Sequence, residues 1–253
     1  MNPSLMQKTF QLSFSSGHVA MAARVRRSAD LTTMLQEIGL EFHRPALVLV
    51  GGASGITEDS FTKLRSLFET VLAPLMEQLG VTVVDGGTDS GVMKLMGEAY
   101  HHISGSFPLV GVAAAGTVIF PDDDTAPSDD KALLEPHHSH FVLVPGALWG
   151  DEAPWIARVA STLSANAPSV TVLVNGGRIA WQDVSSSVRA GRPVVVIAGS
   201  GRTADELAAA IRGEVISDRA HELVNSGLLQ AVDLDTSSQE LTRALTQILS
   251  VSK

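Results

Sequence analysis

The chain has 253 residues, 45% of them hydrophobic, with a formal net charge of −9 and no cysteine. That length can bury a full core, and one large α/β domain spanning residues 1–253, with its core at about 20–215, is preferred over two small ones. The acidic balance argues against nucleic acid as a partner, which needs clustered Lys and Arg, while the missing cysteines exclude disulfides, thiolate nucleophiles and Cys-ligated zinc and fit a reducing cytoplasm.

In chain order, MNPSLMQKTFQLSFSS lacks the charged start and long apolar core of a secretory signal. No stretch approaches the ~20 apolar residues of a membrane helix, so the expectation is a soluble, cytoplasmic protein without membrane contact. Thr9–Phe14 and His18–Val25 predict an added hairpin, and Ala29–Ile38 a helix. Valine- and leucine-rich runs then recur at Leu47–Val50, Val81–Val84, Leu109–Val112, Phe141–Val144, Val170–Val174 and Val194–Ile197. Their nearly continuous hydrophobicity predicts strands covered on both faces, hence a parallel sheet. Amphipathic segments between them, Glu58–Leu79, Ser90–His102, Glu152–Ala165, Ile179–Ala190 and Thr203–Ile211, are long enough for crossover helices. The expected fold is α/β: a Rossmann-like, doubly wound, mostly parallel sheet flanked by helices. Leu228–Leu234 and Gln239–Leu249 add one more strand and helix. The acidic, proline-bounded segment PDDDTAPSDDKALLEP, Pro121–Pro136, predicts a mobile loop on the rim, its charges either solvated or turned to a ligand or metal.

Four glycine-rich turns each follow a predicted strand directly. They are GGASG (Gly51, Gly52, Ala53, Ser54, Gly55), GGTDSG (Gly86–Gly91), NGGR (Asn175–Arg178) and GSGR (Gly199–Arg202). In a parallel sheet all four point to the carboxyl edge, where open α/β sheets bind ligands and where helix N-termini offer free N–H groups to an anion. Taken singly, each turn is equally an ordinary tight connection. Gly87, lacking a side chain, would let a phosphate touch the backbone; Thr88 adds a hydroxyl, and Asp89 or Ser90 caps the next helix. Arg202 is placed to pair with a phosphate, unless Asp205 holds it. Lys94 reaches either an anion or solvent. GxxxxGK[ST], GxGxxG and GxSxG are all absent, which disfavours a P-loop NTPase, an ordinary dehydrogenase and a serine hydrolase.

The string VDGGTDSGVMKLMGEA resembles the signature (V/T)GG(T/S)xxGVMKxVGEA in the N-terminal cytosolic region of melastatin-type TRP (TRPM) channels. It is followed in matching order by GVAAAGTV, HSHFVLV, GDEAPWIAR, VLVNGGRIA and PVVVIAGSGRTADEL. On these motifs the chain is identified as a prokaryotic member of the SLOG superfamily, in the LSDAT or "SLOG in TRPM" branch. The resemblance implies a sensor of nucleotide-derived small molecules such as ADP-ribose, cyclic ADP-ribose or an NAD-like compound, with no other cofactor and no metal. It implies ligand contacts from Gly86, Gly87, Thr88, Gly116, Thr117, His140, Gly176, Gly177, Gly199, Ser200, Gly201 and Arg202, to which the GGTDSG turn itself adds Gly91. An effector protein of unknown identity and a homodimer are further expectations from the family.

More distantly, the stretch NGGRIAWQD is similar to the PGGxGTxxE motif of the Lonely Guy phosphoribohydrolases, which cleave the N-glycosidic bond of nucleoside monophosphates. That implies Asp183 and Arg178 as a catalytic pair, although Asn175, Ile179 and Ala180 depart from the motif and aspartate is one methylene shorter than glutamate. Alternatively, Asp183 is a solvated carboxylate favoured by the helix dipole. Of the clustered His137, His138 and His140, hydrogen bonding is favoured over zinc, with His140 donating to a ribose or phosphate oxygen or satisfying a buried carbonyl.

Overall fold

Runs such as ALVLVG and SVTVLV have no polar face to present to water and are stable only between two covering layers. The computed structural model describes residues 8–52, 57–235 and 237–250, and supplies those layers. Its strands are β1 (Thr9–Ser13), β2 (Val19–Arg24), β3 (Ala46–Gly51), β4 (Thr82–Asp85), β5 (Leu109–Ala114), β6 (Val118–Ile119), β7 (Ala132–Leu133), β8 (His140–Val144), β9 (Ser169–Val174), β10 (Val194–Ala198) and β11 (Leu229–Asp233). The helices are α1 (Leu31–Glu37), α2 (Glu58–Leu67), α3 (Ala73–Leu79), α4 (Gly91–His102), α5 (Ala153–Ser164), α6 (Ala180–Arg189), α7 (Arg202–Ile211), α8 (Asp218–Val224) and α9 (Ser237–Leu249).

Nine strands form one sheet in the order β1-β2-β8-β5-β4-β3-β9-β10-β11, parallel throughout except for the β1–β2 hairpin on the edge. Alternate side chains of each central strand feed opposite layers. Val48 and Val50 of β3 pack with α1, α5, α6, α7 and α8, whereas Leu47 and Leu49 pack with α2, α3, α4 and α9. The chain leaves β3 through β4, β5 and β8 on one side and then returns to β9 on the other. That reversal makes the crevice beside the carboxyl end of β3 the topological switch point, where open α/β sheets hold their ligands.

The doubly wound expectation is met, with three local differences. Glu58–Leu79 is interrupted by a π-helical turn, Phe68–Leu72, that runs into Pro74 at the start of α3. Proline has no N–H to give the ladder, and widening the turn accommodates this. Helix α8 was not expected; Ser217 caps it, accepting the Ala220 N–H at 3.2 Å. Pro121–Pro136 is not simply a mobile loop: its end pairs as β7 with β6, and Glu135 is 1% exposed.

Candidate ligand-binding site

A cavity of about 620 Å³ lies at the switch point. Gly51 at the end of β3 and Gly52 beyond it, Gly86 and Thr88 after β4, Gly177 and Arg178 after β9, and Arg202 after β10 all reach it. Three of these strands, β4, β3 and β9, are consecutive neighbours in the sheet, with β10 next to β9, so parallel pairing alone delivers the turns side by side. Ala53 and Ser54 lie outside the described residues. Helix α4 begins at this cavity with no side-chain cap; the Ser90 hydroxyl is instead within 3.1 Å of the Thr88 hydroxyl. Its first-turn N–H groups and dipole thus remain available to an anion.

The other predicted residues shape the turns from behind. Gly87, at φ +66°, turns its missing side chain toward strand β5: a Cβ there would stand 2.7 Å from the Gly111 Cα. Backbone packing, rather than approach of a phosphate, makes that glycine necessary. Lys94 pairs with Asp89 at 3.0 Å, so neither serves as the anion contact or helix cap expected of them. Ser200 is buried, and its Oγ accepts the Asn175 N–H at 2.7 Å while its carbonyl accepts the Asn175 amide at 2.8 Å. The N–H groups of Thr203 and Ala204 are taken by the carbonyls of Gly176 and Asn175, which locks the NGGR and GSGR turns together and withdraws the α7 terminus from a ligand. Asp205 accepts the Gly199 N–H at 2.7 Å. Gly201 occupies the N-cap of α7 and Gly91 the first position of α4. Gly116 donates its N–H to Gly146 and Thr117 its hydroxyl to Ala114, both beside the cavity rather than in it.

His140 is a correction. It opens β8, and in a parallel sheet the first residue of a strand lies on the edge opposite the carboxyl rim. Its ring is 2.8 Å from Ser139 Oγ, and burial pushes its pKa down to about 4. His138 holds the more consequential position. It is completely buried, with Nε2 2.8 Å from Asp85 Oδ1 and Nδ1 2.7 Å from Glu135 Oε2. Two carboxylate partners require both ring nitrogens to donate. Burial alone would depress its pKa, but the charges and hydrogen bonds of Asp85 and Glu135 prevail and raise it to about 10. Asp85 Oδ1 also accepts the Gly87 N–H at 2.7 Å, so this buried ion cluster fixes the turn whose Gly86 and Thr88 face the cavity.

The cavity also contains two carboxyl groups whose pKa values are raised above the ordinary ones. Asp183, in the first turn of α6, is half-buried as a residue, yet its Oδ1 is out of solvent contact and accepts no hydrogen bond. Burial, reinforced by the charge of Glu152, pushes its pKa up to about 8. Glu152, at the N-cap of α5, is 9% exposed and receives the Gly150 N–H on both oxygens at 3.0 Å; burial holds it above the usual carboxylate range. One cavity therefore joins two arginines to two carboxyls whose pKa values burial raises.

The model of the family described as SLOG in TRPM, prokaryote, matches residues 44–243. The chain belongs to that family. Among curated proteins, this SLOG-in-TRPM chain is 27% identical over 209 residues to mouse transient receptor potential cation channel subfamily M member 2, covering 69% of this chain and 14% of the channel. It is 27% identical over 233 residues to human subfamily M member 6, covering 78% of this chain and 11% of that channel. It therefore spans only a small part of those relatives. Among solved structures, the X-ray structure of TM1055 superposes with a TM-score of 0.52 at 20% identity, covering 81% of this chain and 99% of the other, a likeness of fold. Among the described residues, no helix of the SLOG-in-TRPM chain is long and apolar enough to cross a membrane.

Sequence reasoning missed Glu152, Trp149, Ser128 and Asp129, which also line the cavity of this family member. A usable signal existed: Trp149, Gly150 and Glu152 lie in the connection that leaves the carboxyl end of β8 for α5, so the topological rule that places the glycine turns on the rim places this loop there too.

Proposed function

We propose that this chain binds a nucleotide-derived metabolite carrying phosphate, with ADP-ribose, cyclic ADP-ribose and NAD-like compounds as the leading candidates. The observation that supports this most strongly is convergence: Gly51, Gly52, Gly86 and Gly177 from the turns of three neighbouring strands, the uncapped start of α4, and Arg178 and Arg202 meet at one cavity on the switch point. Backbone N–H groups and guanidinium groups are what a diphosphate requires, and the volume lies within the roughly 300–1,000 Å³ usual for small-molecule sites. The chain's likeness to part of TRPM channels fits a sensor that passes ligand occupancy to a partner protein in the cytoplasm. Calorimetric titration with ADP-ribose, cyclic ADP-ribose, NAD and AMP tests the reading. Saturable binding of at least one supports it, and absence of heat across the panel at millimolar ligand overturns it.

A second reading, an N-glycosidase acting on nucleotides, is favoured by the Asp183–Glu152 pair. Two carboxyls in one pocket, with the pKa of Asp183 pushed up to about 8, are equipped to protonate a leaving base and to stabilise positive charge developing on the sugar. Release of free base from AMP, abolished in Asp183→Asn, supports this reading; intact nucleotide after prolonged incubation rejects it.

A further inference from the structure

Two basic side chains are buried among the described residues, and their surroundings differ. His138 lies between the carboxylates of Asp85 and Glu135. Arg192 is only 2% exposed, yet it forms no ion pair with a carboxylate among the described residues. It stands just before β10 and beside Ser169, the first residue of β9, and therefore on the amino edge of the sheet, away from the cavity at the carboxyl rim.

Its hydrogen bonds leave the charge unanswered. Nε donates to Ser169 Oγ at 3.2 Å, and Nη2 donates to the Ala157 carbonyl at 3.1 Å and to Ser161 Oγ at 2.8 Å, all neutral acceptors. Nη1 is out of solvent contact and donates to none of the described residues. Ser187, whose carbonyl accepts the Arg192 N–H at 3.0 Å, is buried as well; its hydroxyl accepts the Thr171 proton at 2.8 Å and donates to no described residue. The layer between α5, α6 and the first residues of β9 and β10 thus holds a full positive charge together with buried N–H and O–H groups that lack acceptors.

Arginine does not escape this position by losing its proton. Burial lowers its pKa to about 10, which leaves it charged at neutral pH. The partial negative charge at the C-terminal end of α6, where the Arg192 N–H is bonded, offsets only a fraction of one charge. An uncompensated buried ion is strongly destabilising, and an anion beside Nη1 would remove that penalty. The surroundings also set the size of that anion. Nη1 is closed over, which disfavours a bulky organic phosphate, but the cover is thin: Ser161 and Gly191 are exposed and Ser169 is half-buried. A small ion therefore needs only a local opening of the turn at Gly191, where even an added Cβ would meet nothing within 4 Å.

We infer that Arg192 forms a binding site for one small inorganic anion, of the size of chloride, held at Nη1 beneath the turn that joins α6 to β10. The site lies apart from the switch-point cavity and does not depend on the nucleotide reading. The test compares thermal unfolding of the full chain, as wild type and as Arg192→Met, in sodium chloride and in sodium gluconate of equal ionic strength, gluconate being too bulky to enter. Chloride at about tenfold its dissociation constant should raise the wild-type midpoint by about 3–6 °C over gluconate and then approach saturation. Arg192→Met, which removes the charge, should show no such difference. A wild-type crystal soaked in sodium bromide gives a second measurement that stands even if the variant does not fold: an anomalous peak in contact with Nη1 is expected. Equal wild-type midpoints in the two salts, a chloride effect that survives Arg192→Met, or absence of bromide at Nη1 overturns the assignment.

Discussion

Replacing Asp183 with asparagine should stabilise the protein, and do so more as pH rises. The reason is the lone Oδ1, which has neither solvent nor a hydrogen-bond donor, beside the charge of Glu152. These shift the carboxyl from an ordinary 3.8 to about 8. An acid whose pKa rises on folding binds its proton more tightly in the native state, so it costs nothing below its unfolded pKa. The cost then grows with pH until the folded pKa is passed. At roughly 1.4 kcal/mol per pH unit, the penalty should increase by about 3 kcal/mol between about pH 5 and about pH 7.5. For a chain of this size that corresponds to an unfolding midpoint gap, variant over wild type, that widens by about 5–10 °C. Thermal unfolding of both proteins at the two pH values measures it directly. A gap that stays constant with pH would refute the reasoning, because only an ionisation confined to the wild type makes it widen. Glu152→Gln, by removing the second cause, should narrow it.

Other perturbations probe the supports of the site. Gly87→Ala forces a Cβ to 2.7 Å from the Gly111 Cα at a left-handed φ, and should cost about 2 kcal/mol or more in urea unfolding; no loss would mean that β5 yields easily. His138→Gln leaves Asp85 and Glu135 buried without a cation and should cost about 3–5 kcal/mol. Because the folded pKa of His138 is raised, its stabilisation is complete below about 6.5 and disappears as pH climbs toward about 10, so wild-type stability should fall across that window while the variant's profile stays flatter. Arg202→Ala should weaken a phosphate-bearing ligand on the order of 10-fold or more, with less dependence of affinity on salt; unchanged affinity in calorimetry would remove the arginine from the site.

Much of the fold was legible because continuous valine runs allow only a covered sheet, and the four turns were legible because each begins where such a run stops. Which atoms of a turn face the cavity was not. Gly87 serves the close approach of Gly111, and Ser200 serves Asn175; both are tertiary facts invisible along the chain. His140 was misplaced because it was carried over from the family resemblance, although the strand expected at Phe141–Val144 already put it at the amino end, the edge away from the ligand. Trp149 and Glu152 escaped notice because neither sits in a glycine turn, and their meaning arises only when β8 brings its loop to the rim. His138 lay within a recognised histidine cluster, but its role depends on Asp85, fifty-three positions earlier.

The most direct test of the central claim is a crystal grown with ADP-ribose. The account predicts density for the diphosphate at the switch point, touching Gly52, Gly86, Thr88 and Gly177, with Arg202 engaged. A ligand seated elsewhere on the molecule, with this cavity empty, would contradict it.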